Sequence, residues 1–281
     1  MSDVITGATE TSAAAKAMVE SMAQKYLIQE SKMMGLVTNY SSLAVKGANS
    51  IKLPKAGGFT VGSKSENTAV ESQTSAFSVD TLSLDQHRVV QFLIEDFADI
   101  QTSVAVAQEY ILRASKDLAL DIDNKIIAQL RLASASAPDH LIKFTDATNE
   151  DIELADILAA RKLLSIQNID PRECYMLIGP DQEAHMLKLS DFIDASKYGS
   201  NSPIVNGEIG SVFGMKVVLH TSVSQEAIFF HPTACGFAMQ SDLRLQKNYD
   251  LAQLAHRYSI DYVGGFKVLD AGKRNVQISE T

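Results

Sequence analysis

The chain has 281 residues, 46% of them hydrophobic, enough to bury a core in one large domain or two smaller ones. A formal net charge of −9 argues against a protein that wraps nucleic acid, because phosphate binding needs clustered Lys and Arg. No apolar run approaches the ~20 residues of a membrane helix, and the start MSDVITGATETSAAAKAMVE lacks the basic and apolar regions of a signal peptide, so an intracellular product is expected.

Residues 1–46 read as an arm, with helix-forming composition from Ala13 to Lys32 and a narrow stripe of Met18, Met22, Leu27, Met33 and Met34. The segment 47–86 reads as an extended hairpin. Ile51 and Leu53 alternate with polar residues, and Pro54 demotes that strand to an edge. The stretch PKAGGFTVGSKSENTAVESQTS is polar, and the return leg carries Phe77 and Val79 on one parity and Leu82 and Leu84 on the other, which predicts a bulge near Asp80 and Thr81. A two-stranded hairpin is marginal in water, so this one is expected to gain its stability from a neighbouring copy of the chain.

HRVVQFLIEDF reads as a better buried strand. Beyond it lies the strongest local signal, a helix over Ala98 to Leu132 with Ile100, Val104, Ala107, Ile111, Ala114, Leu118, Ile122, Ile126 and Leu130 on one face. At 1.5 Å per residue it would run ~50 Å, a spine too long for an average globular core to cover. A second helix is expected from Asn149 to about Ile166, with Ile152, Ala155, Leu158, Ala159 and Leu163 inward. Tyr175 to Ile178 reads as a short strand, and the helix after it has Asp181 as expected N-cap. KYGSNSPIVNGEIGSVFG is a loop; MKVVLHTSV, AIFFHP and CGFAMQ are strands; the strand-rich end is expected to break at Gly264-Gly265.

Signals of chemistry are weak. The six His residues are scattered, with none at metal-ligand spacing, and Cys174 and Cys235 read as free thiols. GGFTVG lacks the Gly-Lys-Ser/Thr ending and the following helix of a phosphate loop, and no Gly-x-Ser-x-Gly elbow occurs. Asp117, Asp121 and Asp123 cluster on the spine helix beside Lys116 and Lys125, which reads as a solvated or salt-bridged face. No catalytic, metal or cofactor site is expected. An arm, a hairpin and an overlong helix without self-sufficient cores describe a subunit of an assembly.

The order of SIKLP, HRVVQFLIEDFADIQTSVAVAQEYILRASKDLALDIDNKIIAQL, ILAARKLLSIQNIDPRECYMLIGPDQEAHMLKL and YGSNSPIVNGEIGSVFGMKVVLHTSV resembles the tailed-phage major capsid proteins of the Hong Kong 97-type fold, over roughly residues 33–281. The resemblance implies an α+β chain in five parts: N-terminal arm 1–46, extended loop 47–86, peripheral domain with spine helix 87–148, axial domain 149–235, and return strands with the C-terminal segment 236–281. It implies hexamers and pentamers closing into an icosahedral shell around double-stranded DNA without sequence-specific binding. The shell would be a virion capsid assembled in the host cytoplasm, without a membrane. Scaffolding, portal and cement proteins are the further partners it raises. An encapsulin-type compartment around an enzyme cargo is the alternative. Contacts between subunits are expected at Lys52, Lys55, Lys64, Glu66, Glu71, Phe77, Tyr198 and Asn201, the charged ones selecting register at the rim. Some members join a loop Lys to a neighbour's Asn; Lys64 and Asn275 have those side chains here, with no motif that fixes their geometry.

Overall fold

The computed structural model describes residues 31–67, 69, 72–95, 106–131, 140–146, 151–188 and 210–279. The expected helix of the arm, the first residues of the spine helix, Glu71, Tyr198 and Asn201 lie outside this set.

Three sheets organise the described residues. The first has four strands in the order β1 (Thr38–Asn39), β10 (Cys235–Asp250), β11 (Ala255–Val268) and β4 (Gln86–Glu95). Its centre is a long antiparallel hairpin, β10 paired with β11 from Cys235↔Val268 to Asp250↔Ala255. Helix α1 (Val106–Arg131, 26 residues, ~39 Å long) lies on one face of this sheet. The 3.6-residue period does what the sequence requires: Ile111, Ala114, Leu118, Ile122, Ile126 and Leu130 are all buried, against Phe237, Leu243, Leu245, Tyr258, Ile260 and Tyr262. Alternation in the strands sends Tyr258, Ile260 and Tyr262 to the helix and Arg257, Ser259 and Asp261 to the opposite face.

The second sheet runs β5 (Leu141–Ile142), β12 (Asn275–Ile278), β9 (Ala227–Phe230), β6 (Tyr175–Ile178), β8 (Met215–Leu219) and β7 (Ser211–Val212). All four residues of β9 are buried, because both faces are covered. Met176, Ile178, Ala227 and Phe229 pack with α2 (Leu154–Ile166) and α3 (Pro180–Met186), while Leu177, Ile228 and Phe230 join the core around α1. One face of the second sheet therefore shares the core of the first, while its other face forms a separate core with α2 and α3. The strand-rich end divides between the sheets: β11 lies in the first, and β12 pairs with β9 and β5 in the second.

Four local expectations are corrected. Strand β11 runs through Gly264 and Gly265 without a break. These glycines permit close approach instead, since a Cβ on Gly265 would sit 1.9 Å from the Ser83 carbonyl oxygen. Helix α2 turns a different face inward. Ile157, Ala160 and Leu164 are buried, whereas Ala155 is exposed and Leu158 is 45% exposed. The pivot is Asp156, buried because its carboxylate accepts from Thr145 N–H and O–H and from Glu153 N–H. Helix α3 is capped by Gly179 with Pro180 at its first position, so Asp181 sits inside the first turn. The fourth correction concerns the bulge in the hairpin, described next.

Candidate assembly surface

The third sheet is the predicted hairpin, β2 (Ser50–Ala56) with β3 (Phe77–Ser83). Among the described residues it pairs with no third strand. Its register runs unbroken from Ser50↔Ser83 to Ala56↔Phe77, so no bulge interrupts it at Asp80. The change of apolar parity has another cause: the two faces of the hairpin meet different surroundings. Ile51, Leu53, Lys55, Asp80 and Leu82 point toward the body of the chain. Pro54, Ala56, Phe77 and Val79 point away from it, with Phe77 69% and Val79 47% exposed.

The inner face is anchored within the chain. Ile51, Leu82 and Leu84 bury against Ala238, with Tyr40, Ala44 and Leu53 packed around them. Lys55 forms an ion pair with Asp270, whose own N–H donates to Asp80 Oδ2 at 3.1 Å. Hence the root of the hairpin gains its stability from its own body, contrary to the expectation that a neighbour supplies it. Lys55 is an intrachain anchor in this structure. The expectation of an uncovered excursion holds further out: Phe59, Val61 and Lys64 are exposed, as is Glu66. Lys52 is exposed on the outward face.

An apolar strip on an exposed two-stranded ribbon costs solvation free energy that a second surface would recover. Other uncovered apolar side chains lie at Leu251 and Leu254 in the β10–β11 turn, at Val89 and Leu93 on β4, and at Leu158 and Ile166 on α2. Sequence reasoning missed the first pair. Nothing local separates DLAQLA from a buried turn, although a tight antiparallel turn at the end of two long strands has no core beneath it.

The polar groups of the body serve structure. Asp123, expected on a solvated or salt-bridged face, is not solvated: it is 1% exposed. Its carboxylate accepts from Ser31 Oγ (2.5 Å), Lys32 N (2.9 Å) and Met33 N (3.2 Å), and lies 3.3 Å from His220 Nε2. It fastens the end of the arm to the spine helix. Asp121 accepts from the Tyr262 hydroxyl at 2.9 Å; burial, then this hydrogen bond and the Asp121 charge, push the phenol above its ordinary range. On the face of the first sheet away from α1, burial pushes the Asp261 carboxyl up, but hydrogen bonds and charge from Arg244 and His87 outweigh it and hold the group below the usual carboxylate value.

Both cysteines are free and buried. Burial, with the Asp170 and Glu173 charges adding to it, pushes the Cys174 thiol up to about 11, and burial pushes Cys235 up to about 12, so neither is an activated nucleophile. Among the described residues, no group of three or more His, Cys, Asp and Glu side chains stands close enough to hold a metal, and no helix is long and apolar enough to cross a membrane. Asn275 is wholly buried, and its Nδ2 donates to the Leu130 carbonyl at 2.6 Å. No lysine of a neighbour can approach it without opening the core, which removes it as a crosslinking partner for Lys64.

No family model matches the sequence, and no curated protein resembles it closely enough to count as a relative. Solved structures do share its fold. The chain is similar to one from Mycobacterium phage Che8, at 19% identity and a TM-score of 0.70, covering 88% of this chain and 90% of that one. It is similar to the capsid structure of cyanophage P-SCSP1u, at 15% identity and a TM-score of 0.71, covering 87% and 86%. It is also similar to a virus-like particle from Pyrococcus furiosus, at 11% identity and a TM-score of 0.62, covering 94% and 99%. The fold is the α+β Hong Kong 97-type capsid fold, with its extended hairpin, spine helix and two sheets.

Proposed function

We propose that this chain is a major capsid protein whose copies close into an icosahedral shell of hexamers and pentamers around double-stranded DNA. The observation that carries the reading is a hairpin rooted on its own body but presenting an uncovered apolar face, on a fold that phage capsid structures share over nearly nine-tenths of the chain. A strip of Phe77, Val79, Pro54 and Ala56 is built to lie on a neighbour, where intersubunit interfaces of the obligate kind commonly bury more than ~2,000 Å². In this reading the helix and four-stranded sheet are the peripheral domain, the six-stranded sheet is the axial domain, and Lys52, Lys64, Glu66 and Glu71 act at the rim of the contact. Tyr198 and Asn201 belong to the axial contacts. The acidic balance of the chain suits a wall that does not adhere to packaged DNA. Scaffolding, portal and cement proteins would be its partners in a host cytoplasm.

The test is electron microscopy of the purified full chain, followed by nuclease protection and mass spectrometry of the contents. Closed shells with nuclease-protected duplex DNA, when produced with the rest of a phage, are the expected result. Shells containing one co-purifying enzyme would establish the compartment reading in its place. A monodisperse monomer at high concentration, even when produced with the rest of a phage, would refute both.

A further inference from the structure

Asp270 occupies a position where glycine would be the easy choice. Its φ is +55°, in the left-handed region that costs an L-residue conformational energy, and glycine would adopt it freely. What glycine could not supply is the carboxylate, and that group sits at the centre of a chain of polar contacts along one side of the body. On one side it pairs with Lys55 of β2, while its backbone N–H donates to Asp80 of β3. Both legs of the hairpin are thus tied to one residue. On the other side Arg274 Nε donates to Asp270 Oδ2 at 3.1 Å, and Arg274 Nη1 donates to Thr233 Oγ1 at 2.5 Å.

The chain continues in one direction only. With its oxygen accepting from Arg274, the Thr233 hydroxyl donates to His231 Nδ1 at 2.8 Å, which also accepts from Thr233 N–H at 3.2 Å. That leaves the His231 Nε2–H to donate to Glu173 Oε2 at 3.3 Å. Glu173 belongs to the short 3-10 turn, Pro171–Glu173, that leads from α2 into β6 of the second sheet. Hydrogen bonds along such a path reinforce one another, and each link fixes the orientation of the next.

We propose that this network is a brace: Asp270 sets the angle at which the hairpin leaves the body and ties it to the α2–β6 junction of the second sheet. Lys55 and Arg274 are positioning residues for the hairpin, and they act through Asp270 without needing to touch a neighbouring subunit. The inference deepens the capsid reading, because hairpin angle decides where the outward face of Phe77 and Val79 meets the next copy, and hence shell curvature.

The experiment compares the full chain with Asp270→Asn and Lys55→Gln. Asn tolerates the same backbone conformation, so Asp270→Asn removes the charge while preserving the turn. Lys55 is half-exposed, so Lys55→Gln severs one link without touching the core. Hydrogen–deuterium exchange of the unassembled subunits is expected to rise about two- to fivefold for amides in 50–56 and 77–83, with protection in α1 unchanged. Particles from both variants are expected to show a broadened distribution of diameters. Unchanged hairpin exchange in both variants would overturn the brace, as would uniform particles of wild-type size from both. Failure of the wild-type chain to form shells would count against the capsid reading alone, since the exchange comparison does not depend on assembly.

Discussion

Replacing Asp123 by Ala removes one carboxylate and leaves four donors facing a hole. Ser31 Oγ and Met33 N are buried, His220 is buried beside them, and only Lys32 N is near enough to the surface to turn to water. An unpaired buried donor costs about 1–3 kcal/mol, and truncating one partner of a buried charged network costs about 3–5 kcal/mol. We therefore expect a loss of about 4 kcal/mol, which at a urea slope near 3 kcal/mol/M lowers the midpoint by about 1–2 M. The measurement is equilibrium urea denaturation followed by far-ultraviolet circular dichroism, with limited proteolysis in parallel to detect release of the chain at Ser31. Asp123→Asn keeps the volume but substitutes a donor for one acceptor, so it should fall between wild type and Ala. A loss below about 1 kcal/mol in Asp123→Ala, with no new cleavage near Ser31, would refute the claim that this carboxylate anchors the arm.

Other perturbations separate folding from assembly. Leu118→Asp puts an unpartnered charge against the first sheet and should abolish the native fold, read as loss of the cooperative thermal transition; a native melting curve would show the inner face of α1 to be misplaced. Phe77→Ser should change subunit stability by less than about 1 kcal/mol yet sharply reduce particle yield in sedimentation, because its ring is 69% exposed on the outward face. Excising residues 58–75 and joining Gly57 to Ala76 through Asn-Gly should leave the cluster of Ile51, Leu82 and Leu84 intact, giving a folded subunit that fails to assemble; a melted subunit would contradict the intrachain root. Both cysteines should resist iodoacetamide at pH 8 until the chain is unfolded. With folded values raised to about 11 and about 12 from 9.0, their stabilising effect is complete below pH 9 and disappears as pH rises through the folded values, read as a falling midpoint in alkali.

The parts visible in the sequence were those set by local period and local chemistry. One unambiguous apolar stripe from Ile111 to Leu130 could only face a core, and Pro54 could only sit on an edge. Helix α2 was harder, because LADILAARKLLSI is apolar nearly all round; which side turns inward was decided by Asp156 and its partner Thr145, not by periodicity. Gly264 and Gly265 looked like a break because glycine signals either a bend or a close approach, and only the crossing of Ser83 distinguishes the two. Asp123 and its partner Ser31 are 92 residues apart, and Asp123 and His220 are 97 apart, so no short window contains the anchor. The brace is scattered likewise over Lys55, Glu173, Thr233, Asp270 and Arg274.

The hairpin shows why the distinction between root and tip matters for the functional reading. Were its inner face as uncovered as its outer one, the ribbon would be marginal and its direction undefined, and a neighbour would have to order it at an entropic cost during docking. Instead Ile51, Leu82 and the Asp270 network hold the base before any partner arrives, so the apolar strip is presented in one orientation. Preorganisation of that kind reduces the ordering cost of association, so in the proposed assembly a contact of Phe77 and Val79 with the next copy would act in favour of closure. On the capsid reading it would also make the geometry of the shell a property of the folded subunit: the residues proposed to fix the angle are paired within one chain, while Phe77 and Val79, proposed to make the contact, are exposed.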